Sequence, residues 1–217
     1  MVLETERKTI VEYGRKMLDS GLTTGTGGNI SIFNRKTGLA AVTPSSVEYT
    51  RLSPENVLVV DKAGTVVEGS MKPSSETGFH LALYNSRSNI GAVVHTHSPY
   101  AATFACLRRE IPAVHYLVGF AGKKVPVAPY ATYGSEKLAS HVVSSIGECN
   151  SVLLANHGLL SVGGTVERAF NTAEEIELVA RICYQAECIG TPVVLPDDEM
   201  ERVMEKFKTY GQASDEG

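Results

Sequence analysis

Apolar and polar positions alternate along this chain in blocks whose period switches between that of a helix and that of a strand. From Thr5 to Ser20 the residues Ile10, Val11, Gly14, Met17 and Leu18 recur at helical spacing, and Gly21 stands where such a helix would end. The period then shortens. Ile30 to Phe33, Leu39 to Thr43, Val57 to Asp61 and Thr65 to Val67 predict strands, with Ala63-Gly64 turning the last pair into a hairpin. Phe79 to Tyr84 predicts a helix with Ser74 or Ser75 as N-cap and Glu76 in its first turn. Gly91 to Val94 and Val152 to Ala155 are apolar runs of the kind buried strands show. Pro99 to Leu107, a helix capped by Ser135 and reaching Ile146, Thr165 to Cys188, and Pro196 to about Lys208 complete the helices. Ile111 to Tyr116 reads as extended and Gly119 to Gly122 as a flexible loop. The expected fold class is α/β: a single three-layer domain over residues 1–212, its central mixed, largely antiparallel sheet covered by helices on both faces, followed by a flexible tail at 213–217.

Composition narrows the class of partner. A chain of 217 residues with 43% hydrophobic and 20% charged residues is long enough to bury one large core. Its net charge of −4, with no cluster of Lys and Arg, argues against nucleic acid or an anionic membrane as the main partner. Residues 1–10 are of mixed charge, and no apolar run approaches the length of a membrane span, so a cytoplasmic protein is expected. Cys106, Cys149, Cys183 and Cys188 lack CxxC spacing and read as buried thiols.

The chemistry concentrates where apolar runs end. Gly91-Ala-Val-Val-His95-Thr-His97 closes on two histidines one residue apart, which share a face of a strand. Val152-Leu-Leu-Ala-Asn156-His157-Gly158 ends in a third histidine, followed by the glycine a tight turn would want. Three neutral imidazoles and one acid suit a catalytic Zn²⁺, Mn²⁺ or Co²⁺ acting as a Lewis acid on a carbonyl. Glu76 is the candidate acid, with an ordinary first-turn helix acid as the competing reading. His80, four residues on, is an alternative ligand to His157, or else a packed residue. Three turns rich in hydroxyl and N–H groups, at Thr26 to Asn29 with Gly28 between them, at Ser45-Ser46 and at Ser74-Ser75, offer a cradle for one phosphate without a basic cluster. Taken singly, the glycine loop is as well explained as a plain helix-to-strand connection.

Gly25-Thr-Gly-Gly-Asn29, Thr43-Pro-Ser45, Pro73-Ser-Ser-Glu76, His95-Thr-His97, Ile111-Pro-Ala-Val-His-Tyr116, Ala128-Pro-Tyr-Ala-Thr132, Asn156-His-Gly158 and Lys206-Phe-Lys-Thr-Tyr-Gly211 together resemble the L-fuculose-1-phosphate aldolases of the class II aldolase/adducin family, over nearly the whole chain and in the same order. The resemblance implies reversible, zinc-dependent cleavage of a ketose 1-phosphate, either L-fuculose 1-phosphate or a 5-deoxypentulose 1-phosphate, into dihydroxyacetone phosphate and an aldehyde. It implies zinc ligands Glu76, His95, His97 and His157, and phosphate contacts from Thr26, Gly28, Asn29, Ser45, Ser74 and Ser75. Glu76 would leave the metal to exchange a proton on the nucleophilic carbon. Tyr116, from a neighbouring subunit of a fourfold homotetramer, would handle the proton of the aldehyde oxygen, and Tyr210 in the C-terminal tail would close over the site. Ser46 departs from the expected pattern, since glycine often follows the Ser of that turn. Sugar-phosphate 4-epimerases, methylthioribulose-phosphate dehydratases and non-catalytic adducin-like domains share the fold, a zinc hydrolase is a remoter reading, and a Schiff-base aldolase would instead need a lysine such as Lys123 or Lys124.

Overall fold

The computed structural model describes residues 1–208; Tyr210 and the tail at 213–217 lie outside the described residues. The first helix, α1 (Glu4–Asp19), ends at Ser20 and Gly21, the latter in the left-handed region at φ 69°. Strands β1 (Asn29–Asn34), β2 (Leu39–Val42), β3 (Leu58–Val60) and β4 (Val66–Glu68) follow as antiparallel neighbours. Helix α2 (Thr77–Ser86) leads to β5 (Ala92–Thr96), then α3 (Pro99–Cys106), β6 (Val127–Ala128) and α4 (Glu136–Ile146). Strands β7 (Ser151–Leu154) and β8 (Gly158–Gly163) form a hairpin, and α5 (Val166–Ile189) and α6 (Asp197–Lys208) close the described chain.

Among the described residues eight strands form one sheet in the order β4-β3-β2-β1-β5-β8-β7-β6, antiparallel except for the β6–β7 pair. Side chains that alternate along the strands feed two apolar layers. Ile30, Ala92, Val94, Leu153 and Leu159 pack against α1, α3 and α5, while Phe33, Val93, Val152, Leu154 and Leu160 pack against α2 and α4. No helix among the described residues is long and apolar enough to cross a membrane.

The expected α/β architecture is the one observed, with four local corrections. Ser74 and Ser75 do not cap α2: Glu76 itself holds the N-cap position, and the Ser74 hydroxyl accepts from the Glu76 N–H at 3.3 Å. Gly119–Gly122 is not a flexible loop, because Tyr116–Phe120 winds into a 3₁₀ turn whose Val118 is buried and whose Gly119 abuts Met200, Val203 and Phe207 of α6. Strand β8 has no counterpart among the predicted elements; Gly163-Gly164 obscured its end. Of the four cysteines only Cys183 is buried, while Cys106 and Cys188 are exposed. Ser135 caps α4 as expected, accepting from Leu138 N, and Thr165, expected only to begin the long helix, also caps α5, accepting from Arg168 N.

Two positions explain why the site-bearing ends of β1, β5 and β8 can meet. A Cβ on Gly28, which sits at φ 68°, would lie 2.4 Å from the carbonyl oxygen of His95, and one on Gly158 would lie 2.3 Å from that of Thr96. In the β7–β8 turn the left-handed residue is Asn156, at φ 55°, so Gly158 serves close approach and not the turn. Gly158→Ala should therefore destabilise the fold by about 2 kcal/mol or more, as backbone cannot retreat like a flexible side chain, read as a lower urea midpoint at unchanged m-value. A second expectation concerns pH. His80 of α2 is wholly buried, which pushes its pKa down to about 3. The unfolded chain binds this proton near 6.5 and the native chain does not, so stability is retained above that value and lost as pH falls towards 3. Urea unfolding of chelator-treated protein between pH 7.5 and 4.5 should show an acid limb steeper than that of His80→Phe by about 1.4 kcal/mol per pH unit.

Candidate active site

The C-terminal end of β5 and the β7–β8 turn place three imidazoles together. The metal-coordinating nitrogens available on His95, His97 and His157 lie within 4.8 Å of one another, with His95 Nε2 at 3.1 Å from His97 Nε2 and 3.3 Å from His157 Nε2. His95 Nδ1 is 2.9 Å from the Leu159 carbonyl of β8 and must donate to it, so its Nε2 presents a bare lone pair to the group. Burial, joined by the neighbouring imidazoles, holds His95 well below the usual histidine pKa; burial also lowers His97, and His157 is lowered by burial against a smaller opposing pull from Glu76. All three are held as neutral imidazoles at neutral pH.

Glu76 enters from the start of α2. Its Oε2 lies 3.3 Å from His95 Nε2 and accepts from Asn29 Nδ2 at 2.8 Å, while Oε1 lies 3.4 Å from His157 Nε2. Oε1 is buried without a hydrogen-bond partner. Burial raises the Glu76 pKa, against lowering by His157 and Asn29. A bare imidazole nitrogen and an unpartnered carboxylate oxygen converging on one point are satisfied together by a cation, so this donor set fits a metal ion. His80 is not part of it: its Nε2 meets Asn29 Oδ1 and its Nδ1 meets Ser31 Oγ, which settles the alternative in favour of a packed residue.

Beside this group opens a cleft of about 370 Å³. It is lined by Thr26, Gly28, Asn29, Ser45, Ser46, Ser74, Ser75, Glu76, His97 and His157, while His95 stands behind them, wholly buried. The two serine turns are stitched to one another: Pro44 and Pro73 form an isolated bridge, with Ser45 N donating to Lys72 O at 2.9 Å and Ser74 N to Thr43 O at 3.0 Å. The glycine loop is held by Tyr49, whose hydroxyl donates to Gly28 O at 2.9 Å. Ser46 sits at φ 59°, a left-handed conformation that glycine adopts without the strain a side chain brings. Among the described residues hydroxyls and backbone N–H groups, and no lysine or arginine, line the cleft.

Not every expected residue meets there. Tyr116 lies on the 3₁₀ turn, 49% exposed, and is absent from the lining of this chain's own cleft. Tyr210 is outside the described residues. Lys123 and Lys124 pair with Glu201 and Asp197, and with Glu110, which raises both pKa values; neither lines the cleft, so neither is poised as a Schiff-base nucleophile. Conversely Tyr130, Tyr133 and Asn156 line the cleft and were given no role from sequence. Tyr130 and Asn156 belong to the Ala128–Thr132 and Asn156–Gly158 motifs, but an aromatic or an amide in a loop carries no functional signal of its own.

The family model for the Class II Aldolase and Adducin N-terminal domain matches residues 8–184. The chain is 52% identical over 212 residues to the 5-deoxy-D-ribulose 1-phosphate aldolase of Bacillus thuringiensis serovar kurstaki, covering 98% of this chain and 100% of the relative. It is 38% identical to the L-fuculose phosphate aldolase of Escherichia coli strain K12, covering 94% of each. A solved structure titled L-fuculose 1-phosphate aldolase superimposes with a TM-score of 0.94 at 44% identity, over 96% of this chain and 98% of that one. The sheet, the imidazole cluster and these matches lead to one conclusion: the chain belongs to the class II aldolase and adducin N-terminal domain family.

Proposed function

We propose that this protein is a metal-dependent aldolase that reversibly cleaves a ketose 1-phosphate, either 5-deoxyribulose 1-phosphate or L-fuculose 1-phosphate, into dihydroxyacetone phosphate and an aldehyde. The observation that carries the reading is the opening of one cleft onto both the His95/His97/His157/Glu76 group and the paired Ser45 and Ser74-Ser75 turns. The names of the relatives support the choice of substrates. Three histidines and a carboxylate are a zinc donor set, with manganese or cobalt as substitutes, and the bound ion supplies Lewis acidity to the ketose carbonyl.

The chain's own residues do the rest. Hydroxyls and N–H groups of Thr26, Gly28, Asn29, Ser45, Ser46, Ser74 and Ser75 hold the phosphate, each a neutral donor that fixes position at little cost in reorganisation. In cleavage, Tyr116 of a neighbouring subunit accepts the proton of the C4 hydroxyl. The C3–C4 bond breaks, C4 leaves as the aldehyde, and the electron pair remains on the C3 side. Glu76, whose burial favours a protonated carboxyl more than usual, delivers the proton to C3. Tyr210 is assigned to closing the site. Exposure of Tyr116 away from its own cleft supports a homotetramer in which neighbours complete each other's sites. The cytoplasm is the proposed compartment.

Chelation should abolish release of dihydroxyacetone phosphate from both sugars, and added Zn²⁺ should restore it; chelator-resistant activity trapped by borohydride overturns the reading. Glu76→Gln should retain phosphate binding while solvent exchange of the C3 proton falls about 10²–10⁴-fold. Tyr116→Phe and His157→Ala, each inactive alone, should regain about a quarter of wild-type activity when unfolded and reassembled as an equal mixture, since random closed rings pair intact halves at that frequency. Mixtures with no recovered activity would place Tyr116 outside the neighbour's site.

A further inference from the structure

A run of buried polar side chains leads from Glu76 away from the cleft and into the apolar layer beneath α2. Asn29 Nδ2 donates to Glu76 Oε2 at 2.8 Å. His80 Nε2 lies 2.5 Å from Asn29 Oδ1, His80 Nδ1 lies 2.6 Å from Ser31 Oγ, and Ser31 Oγ lies 2.6 Å from the Tyr84 hydroxyl. Asn29 is 3% exposed, Ser31 1%, His80 0% and Tyr84 2%, so water does not compete for these partners. Phe33 stacks on Tyr84 and Phe79 on His80, which closes the run in by rings.

The chemistry at one end dictates the direction of every link. With Glu76 ionised, the form in which it would hold a cation between proton transfers, its carboxylate only accepts, so the Asn29 atom facing it is its NH₂ and its carbonyl oxygen faces His80. That oxygen only accepts, so Nε2 of His80 carries the proton. A neutral imidazole then offers Nδ1 as an acceptor, the Ser31 hydroxyl must donate to it, and the Tyr84 hydroxyl must donate to Ser31. Reversing any one group leaves two donors or two acceptors face to face in a dry environment. Packing alone does not call for this arrangement, because apolar side chains of similar volume would fill the layer as well.

We propose that Tyr84, Ser31 and His80 form a directional brace that locks the Asn29 amide in one orientation and, through it, the rotamer of Glu76, leaving Oε1 free towards the imidazoles. His80, Ser31 and Tyr84 are positioning residues, since none lines the cleft. The inference rests on the reading of Glu76 as the proton-transfer group. It also assigns to Asn29 a role beyond phosphate contact: the brace aims its NH₂ and keeps its carbonyl, a mismatched acceptor, away from Glu76.

The test combines spectroscopy with kinetics on the zinc-loaded protein. ¹⁵N spectra of histidine-labelled wild type should show His80 as the Nε2–H tautomer, unchanged from pH 5 to 8; an Nδ1–H or mixed tautomer overturns the brace. His80→Phe should lower kcat for the ketose 1-phosphate by about tenfold or more while KM stays within about threefold. His80→Gln, whose terminal amide can donate to Asn29 from near the position of Nε2, should return kcat to within about threefold of wild type. A kcat for His80→Phe within threefold of wild type, at whatever loss of thermal stability, overturns the proposal. Should His80→Phe not fold, Ser31→Ala decides: leaving Nδ1 of His80 without its donor should loosen the imidazole and lower kcat about threefold or more, and an unchanged kcat refutes the brace. If wild type releases no dihydroxyacetone phosphate from any ketose phosphate, the aldolase reading fails, while the tautomer measurement still decides the direction of the chain.

Discussion

The register of the three central strands is the constraint on which the site depends. In the β1–β5 pair Asn29 stands opposite His95, and in the β5–β8 pair His95 stands opposite Leu160. Side chains on neighbouring strands at paired positions share a face, so Asn29 and His95 both point towards α2, whose first residues bring Glu76 to them. A slip of one residue would turn His95 into the α3–α5 layer and put Val94 or Thr96 in its place. The apolar alternation on both sides of each strand forbids that slip, since it would exchange two dry layers at once. Two glycines, Gly28 and Gly158, permit the approach that this register demands.

Burial gives the site its electrical character. Withdrawing three imidazoles and a carboxylate from water favours their neutral forms, which lowers the histidines and raises Glu76. Neutral imidazoles are what a metal requires, and a carboxyl tuned upwards is what proton transfer near neutrality requires. The same desolvation therefore serves both roles in the proposed reaction. Its cost falls on the metal-free fold, where His80 adds to it, and a bound cation would offset it by satisfying the lone pairs that the protein cannot.

Much of this was legible in the sequence, because the informative features obey short-range rules. Period-two and period-3.6 patterns place most elements, and the i, i+2 spacing of His95 and His97 on one strand face is a geometric statement in itself. What sequence could not carry was set by partners distant in the chain. Glu76 displaced Ser74 and Ser75 from the N-cap because its side chain is held by Asn29 from β1, a contact across 47 residues. The 3₁₀ turn at Tyr116–Phe120 exists because α6 covers it, which a run containing Gly119 and Gly122 does not announce. The hydrogen-bonding partners of His80 lie on β1, so its helical spacing from Glu76 suggested a shared face but not that it faces Asn29.

The same covering of the 3₁₀ turn bears on how a site shared between subunits would be built. Phe207 of α6 stacks on Phe120 at 4.6 Å between ring centroids and lies 6.2 Å from the Tyr116 ring, while Lys123 is joined to α6 through Asp197 and Glu201. The turn that presents Tyr116 and the helix that leads towards Tyr210 are thus one packed unit, and Tyr210 follows Phe207 by only three residues in the sequence. In the proposed assembly a neighbour that delivers Tyr116 to the cleft also brings the origin of the Tyr210 segment beside it. Docking of that unit would set the placement of Tyr116 together with the described end of α6, so that one ordering event, not two, bears the entropic cost. On that proposal the groups for metal and phosphate would belong to the sheet of one subunit and the proton handling of the aldehyde oxygen to the α6 unit of the next, which would make assembly a condition of chemistry and not only of stability.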